Sequence, residues 1–181
     1  MRLGRAALDC RSHSLNQEVP MTIKVGDRLP NATFRLVTSD GPKTVTTQEF
    51  FGGKKIVLFG LPGAFTPTCH KNHLPGFIAH EAAIKAKGVS EIAMTAVNDH
   101  HVLAAWSKAS DPDGKIAFLA DGNADFAKAA GLEFDGSGGG MGIRSKRYAM
   151  LVDDGVVKIL NIEDSPGKAE ISSAESLLKG M

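Results

Sequence analysis

Residues 54–77 read KKIVLFGLPGAFTPTCHKNHLPGF, and the reading of this stretch decides the fold. Ile56, Val57, Leu58 and Phe59 form a continuous apolar run of strand length, the pattern of a strand covered on both faces. Pro67 suits the first turn of a helix, and Thr66 before it can act as N-cap. An apolar stripe then runs through Phe77, Ile78, Ala82 and Ile84 until Gly88 stops it. Pro75 predicts a kink or a break on the way. Cys69 therefore stands at a strand-to-helix junction. A cysteine in the first turn of a helix faces unpaired backbone N–H groups and the positive end of the helix dipole. Both favour the thiolate, the reactive form of the sulfur. Thr66 can place a hydroxyl beside it, and Pro62 and Pro67 stiffen the loop and shield it from water. The alternative reading is an ordinary buried cysteine.

Outward from this junction, strands and helices alternate. Upstream, residues 34–37 read as a short strand closed by the turn Ser39-Asp40-Gly41-Pro42, and Thr47-Gln48-Glu49 starts a helical turn. Downstream, residues 92–97 form a strand. Asn98 and Asp99 cap a helix that carries Val102, Leu103 and Trp106 and stops before Asp111-Pro112. Residues 116–119 form a strand, and residues 125–130 a short helix ended by Gly131. Alternation of this kind implies right-handed crossovers and a largely parallel sheet. The end of the chain changes style. Residues 148–152 and 156–162 flank Asp153-Asp154-Gly155, a hairpin signal. Ser172 or Ser173 can then cap a last helix holding Leu177 and Leu178, closed by Gly180. The sum is an α/β fold, a mixed central sheet flanked by helices, with no internal repeat and no second domain.

Composition sets the outer limits. The chain has 181 residues, 43% hydrophobic and 23% charged, which suits one globular domain with a sizeable core. A net charge of +1 favours neither nucleic acid nor a membrane surface as partner. No apolar run approaches the length of a membrane span. Two cysteines cannot build a disulfide framework, so a reducing compartment is expected, with the cytoplasm as the default address. Residues 1–20 carry Arg2, Arg5 and Arg11, lack any helical or strand period, and read as a disordered N-terminal extension; the domain is expected over residues 21–181. A start mis-assigned upstream of Met21 and an organellar presequence are the alternatives, and the second can be weighed on charge. The arginines speak for the presequence, Asp9 and Glu18 against it.

The segment Pro62-Gly63-Ala64-Phe65-Thr66-Pro67-Thr68-Cys69 matches the Pro-x-x-x-Thr-x-x-Cys motif of peroxiredoxins. Its wording, followed by His73-Leu74-Pro75-Gly76-Phe77, resembles the type-five subfamily. The likeness extends through Ala96-Val97-Asn98-Asp99, the Trp106 helix, Leu119-Ala120-Asp121 and Arg144-Ser145-Lys146-Arg147-Tyr148. The resemblance implies a thioredoxin-like fold and a cofactor-free thiol peroxidase. Cys69 would be the peroxidatic cysteine and pass through a sulfenic acid. Thr66 would orient the peroxide. Arg147 would hold both the thiolate and the peroxide oxygens. The backbone N–H groups of Thr68 and Cys69 would complete the pocket, and Pro62 would limit solvent access. A compact homodimer is also implied.

Magnitudes show why the whole set is needed. An ordinary cysteine has a pKa of about 8.5, so full ionisation gains only about ten- to thirtyfold near neutral pH. Part of that is returned as nucleophilicity falls. Polarising the O–O bond must supply the larger share, and fixed donors can contribute several kcal/mol. Arg144 and Lys146 read as solvated strand-end charges. No cysteine follows Cys69, and Cys10 is the only other one, so an external thiol is expected to restore the enzyme. The one-cysteine pattern suggests glutathione with a glutaredoxin, with thioredoxin as runner-up. Antioxidant defence against hydrogen peroxide and organic hydroperoxides follows.

Other readings are weaker. A disulfide oxidoreductase needs Cys-x-x-Cys, and Asn72 occupies the second position. A redox sensor or holdase on the same fold would lack turnover. Cys69, His70 and His73 are too few for a structural zinc, so no metal is expected. His100-His101 reads as a surface helix start. The glycine-rich 137–142 segment lacks the lysine and the strand–helix context of a phosphate loop and reads as a connector.

Overall fold

A computed structural model of the chain describes residues 21–111 and 113–181. The expected extension, Cys10 and Pro112 lie outside the described residues. Seven strands form one sheet in the order β2-β1-β5-β4-β3-β8-β9. They are β1 (Thr33–Thr38), β2 (Gly41–Thr46), β3 (Lys55–Gly60), β4 (Glu91–Ala96), β5 (Ala117–Ala120), β8 (Tyr148–Asp153) and β9 (Val156–Ile162). A separate two-stranded ribbon pairs β6 (Glu133–Asp135) with β7 (Ile143–Ser145), and the glycine-rich segment connects them. The helices are α1 (Thr47–Phe51), α2 (Leu74–Ala79), α3 (Glu81–Lys85), α4 (His100–Ser110), α5 (Asp125–Ala129) and α6 (Ala174–Lys179).

The expectation of a largely parallel sheet holds only at the centre. β3 pairs parallel with β4, and β4 with β5; the four remaining pairings are antiparallel. The 153–155 turn makes β8 and β9 a hairpin, and β8 then closes on β3 in the antiparallel sense. β2 is an addition to the expected elements. Pro42 disguised it as turn, yet a proline is tolerated on this edge strand because no further strand needs its missing donor.

Local signals set most element ends. Asp99 caps α4 by accepting from the His101 and Val102 N–H groups at 2.8 and 3.0 Å. Ser173 caps α6 through the Ser176 N–H at 3.2 Å. Thr46 and Glu49 form a reciprocal capping box on α1. Successive residues of β3 and β4 feed opposite faces, as strand geometry requires. Val57, Phe59, Ile92 and Met94 join Leu103 and Trp106 on one side, whereas Ile56, Leu58 and Ala93 join Phe34, Phe51 and Phe126 on the other. Each such large side chain, fully buried, contributes on the order of 1.5–3 kcal/mol.

Candidate active site

The chain leaves β3 at Gly60, where even a methyl group would stand 2.1 Å from the Tyr148 ring. It crosses the 61–66 loop and enters a helix at residues 67 and 68. Asn98 Oδ1 accepts from the Ala64 N–H at 3.0 Å and fixes the loop to the end of β4. Phe65 takes a positive φ of 59°, a conformation costly for a side chain of this bulk and characteristic of a constrained functional loop. The helix then widens into one π-helical turn over Cys69–His73, closed by the Leu74 N–H on the Cys69 carbonyl. This is where Pro75 acts. Its ring would crowd the carbonyl of residue 71 in a regular α-helix, and a widened turn relieves such crowding. The break itself falls later, at His80 between α2 and α3.

Cys69 is fully buried. Arg147, just before β8 and also buried, donates from Nη2 to Cys69 Sγ at 3.3 Å. Two residues 78 apart in the chain thus meet inside the protein. The rest of the guanidinium is held by neutral groups. Nε and Nη2 donate to the Pro166 carbonyl at 3.2 and 2.7 Å. Nη1 lies 3.2 Å from His73 Nδ1.

His73 fixes its own tautomer. Its Nε2 sits 2.9 Å from the Ser172 carbonyl, which can only accept, so Nε2 carries the proton and Nδ1 offers a lone pair to Arg147. Burial, aided by the Arg147 cation, brings the imidazole pKa down to about 4 against the pull of the Ser172 carbonyl and the Glu163 charge. The ring packs edge-on against Phe59 and Phe77, which stack on one another at 4.1 Å. The residue considered for a metal is therefore a neutral hydrogen-bond acceptor for the arginine. Among the described residues no group of three or more His, Cys, Asp or Glu side chains gathers as metal ligands.

Thr66 is half-buried. Its hydroxyl donates to the Gly63 carbonyl at 2.9 Å, which differs from the expected N-cap bond to the helix. The hydroxyl thereby keeps its lone pairs free as acceptors. The His70 N–H closes the first turn on the Thr66 carbonyl at 2.9 Å, so the N–H groups of Thr68 and Cys69 precede it. Pro62 is buried in the loop. The Thr68 hydroxyl donates to the Gly167 carbonyl at 3.1 Å, tying the helix start to the 163–172 segment.

Arg144 and Lys146 are not the solvated charges expected of them. Both are half-buried. Arg144 donates to the Met141 and Val97 carbonyls at 2.7 and 3.2 Å, and Lys146 to the Gly131 carbonyl at 3.3 Å. Among the basic residues of β7 and its surroundings, Arg147 alone reaches the sulfur because it stands one position before β8, on the face of Cys69. His100 and His101 do open α4 at the surface, rings 3.9 Å apart. Sequence reasoning missed the roles of His73, Pro166 and Ser172. His73 had one usable signal, its spacing of four from Cys69, which places both on one side of a helix. The 163–172 segment had none.

The arrangement is a buried sulfur with a cationic donor aimed at it, fit for attack on an electrophile that develops negative charge on leaving. Comparison with known proteins agrees. The family model described as Redoxin matches residues 24–178. The chain is 49% identical over 168 residues to a chloroplastic peroxiredoxin-2E-2 of Oryza sativa subsp. japonica, covering 90% of this chain and 74% of that one. The structure of reduced Prx3 from Vibrio vulnificus in complex with H2O2 superposes with a TM-score of 0.83 at 48% identity, covering 88% of this chain and 99% of that one. Peroxiredoxin 5 from Alvinella pompejana gives 0.77 at 36% identity, over 87% and 96%. A thioredoxin-like sheet, a buried cysteine at a strand-to-helix junction and relatives at this level of identity lead to one conclusion: the chain belongs to the redoxin family, among the peroxiredoxins, and is a thiol-dependent peroxidase.

Proposed function

We propose that Cys69 is the peroxidatic residue and that Arg147, Thr66, Thr68 and Pro62 form its substrate pocket. The 3.3 Å contact of Arg147 with Cys69 Sγ carries this reading. The thiolate attacks one peroxide oxygen: an S–O bond forms, the O–O bond breaks, and the sulfur loses two electrons to the peroxide. The leaving oxygen takes a proton and departs as water or an alcohol. Arg147 stabilises the charge on the breaking bond, in a site where fixed donors already replace water. Thr66 offers its oxygen lone pairs to the peroxide hydrogen. The sulfenic acid then reacts with an external thiol, releasing water and leaving a mixed disulfide; a second thiol displaces Cys69.

Glutathione with a glutaredoxin is the proposed reductant, supported by the absence of any cysteine after Cys69; thioredoxin is the alternative. A type-five assignment is supported by the PGAFTPTC wording and the likeness to peroxiredoxin 5, and a homodimer by the same resemblance. Of the two addresses open to the sequence, the organellar one gains support from the relative named chloroplastic. The catalytic unit is proposed to begin at Met21, since the Ile23 N–H already bonds the Ala130 carbonyl at 2.9 Å. Intact mass after peroxide treatment tests the cycle. With glutathione, one glutathione on Cys69 and sustained turnover are expected; without thiol, excess peroxide drives Cys69 to the sulfinic acid. A Cys10–Cys69 disulfide as the main oxidised species would overturn the external-thiol route.

A further inference from the structure

Among the described residues the guanidinium of Arg147 touches no carboxylate. Its partners there are a thiol sulfur, a peptide carbonyl and a neutral imidazole. A carboxylate in direct contact would neutralise the charge that the sulfur and the peroxide need. A buried acid stands one step back, behind Ser172. Glu163, at the end of β9, receives three donors on Oε1: the Glu170 N–H at 2.6 Å, the Ser172 N–H at 2.9 Å and the Ser172 hydroxyl at 2.8 Å. Burial alone would push its carboxyl up, but these three donors outweigh it and hold the group below the usual carboxylate range.

Those donors close the 163–172 segment into a loop, and three of its carbonyls bond residues of the site. Pro166 holds Arg147 twice, Gly167 holds Thr68, and Ser172 holds His73. The loop also returns to the strand pair, with the Glu163 N–H on the Arg147 carbonyl at 2.9 Å. Pro166 and Gly167 are themselves exposed. The Glu163 knot and these bonds help keep an exposed turn in register with a buried cation.

We propose that Glu163 is a positioning residue for peroxide reduction: by gathering the Glu170 and Ser172 donors, it folds residues 163–172 into a strap whose carbonyls aim Arg147 at Cys69 without quenching its charge. This rests on the roles of Cys69 and Arg147 given above. The strap reaches the arginine through two bonds to Pro166, and the dependence of its effect on Arg147 separates it from a general stabilising role.

The test is a double-mutant cycle on the full chain, read as the second-order rate constant for Cys69 oxidation by hydrogen peroxide. Trp106 fluorescence supplies the signal. Glu163→Ala should slow oxidation by roughly tenfold or more, the scale of losing a hydrogen bond to a charged group. In the Arg147→Gln background the same change should cost less than about twofold, because there is no guanidinium left to aim. Alkylation of Cys69 by iodoacetamide, which has no O–O bond to polarise, should fall less than peroxide oxidation does. Ser172→Ala, removing one donor of three, should give a smaller loss with the same dependence on Arg147. In the unmutated protein the amides of Glu170 and Ser172 should be protected from hydrogen exchange. Losses of equal size in both backgrounds, an unchanged rate in Glu163→Ala, or rapid exchange of both amides would overturn the strap alone. A full rate in Arg147→Gln would overturn the arginine's role and the strap together.

Discussion

Arg147 and Tyr148 are neighbours in sequence and lie on opposite faces of the sheet. Around Arg147 the buried polar groups are matched: the guanidinium, His73 and Ser172 all find partners within 3.3 Å. Around Tyr148 they are not. The Tyr148 hydroxyl and Thr95 Oγ1 are buried and have no hydrogen-bond partner among the described residues. Burial pushes the Tyr148 phenol upward, with the Asp121 charge adding to it. Asp121 is itself raised by burial, although the Ala127 and Phe126 N–H groups cap onto it. One face thus pairs its buried cation, and the other leaves two buried hydroxyls without a partner among the described residues. The comparison teaches that burial alone does not make a site. Pairing decides which buried groups can carry charge into a reaction.

The sharpest way to break this contrast is to remove charge from the paired face. Cys69→Ser should abolish peroxide reduction. Arg147→Gln should slow Cys69 oxidation by roughly 100- to 1000-fold, the scale of losing a fixed donor to developing charge, and Thr66→Val by about tenfold. Stopped-flow oxidation with circular dichroism on each variant checks this; a Cys69→Ser protein that still consumes peroxide would remove the paired face from the chemistry.

Acid probes the same face through stability. His73 is neutral when folded, with its pKa lowered from 6.5 to about 4. The unfolded chain therefore binds the proton first, and stability present above about pH 6.5 is lost as pH falls toward 4. The shift corresponds to about 3 kcal/mol at the bottom of that window. Denaturant midpoints should fall more steeply for the natural protein than for His73→Gln between those limits. Parallel slopes would mean that His73 is not buried neutral.

Between the faces stands Gly60. A methyl group there would meet the Tyr148 ring at 2.1 Å and force β3 and β8 apart. Gly60→Ala should cost about 1–3 kcal/mol, and it should slow oxidation as well, because the same strand delivers Arg147. A variant with lower Tm and an unchanged rate would show the two faces to be independent.

The smallest effects belong to the unpaired face. Tyr148→Phe and Thr95→Val each remove a buried hydroxyl without a partner. Both should be neutral or stabilising by up to about 1 kcal/mol, with peroxide kinetics unchanged. Thermal unfolding separates this from a loss near 2 kcal/mol, which would reveal a partner such as an internal water.

Much of this molecule was local enough to read from residue order. The apolar run of β3, the 153–155 turn, the caps Asp99 and Ser173, and the spacing from Pro62 to Cys69 each act within a few residues, so composition and period expose them. That local information determined the α/β class, the hairpin and the place of Cys69 at a strand-to-helix junction. Tertiary structure decided the rest. Strand pairing made the sheet mixed, because only long-range register places β8 antiparallel to β3. It also decided that Arg147 serves the sulfur while Arg144 braces a loop, although the two differ by three positions. The partnerships of Cys69 with Arg147, of His73 with Ser172, and of Arg147 with Pro166 join segments 78, 99 and 19 residues apart. Buried polar groups carry no period of their own. Their worth is set by which neutral acceptors the folded chain brings beside them, and that is a property of packing.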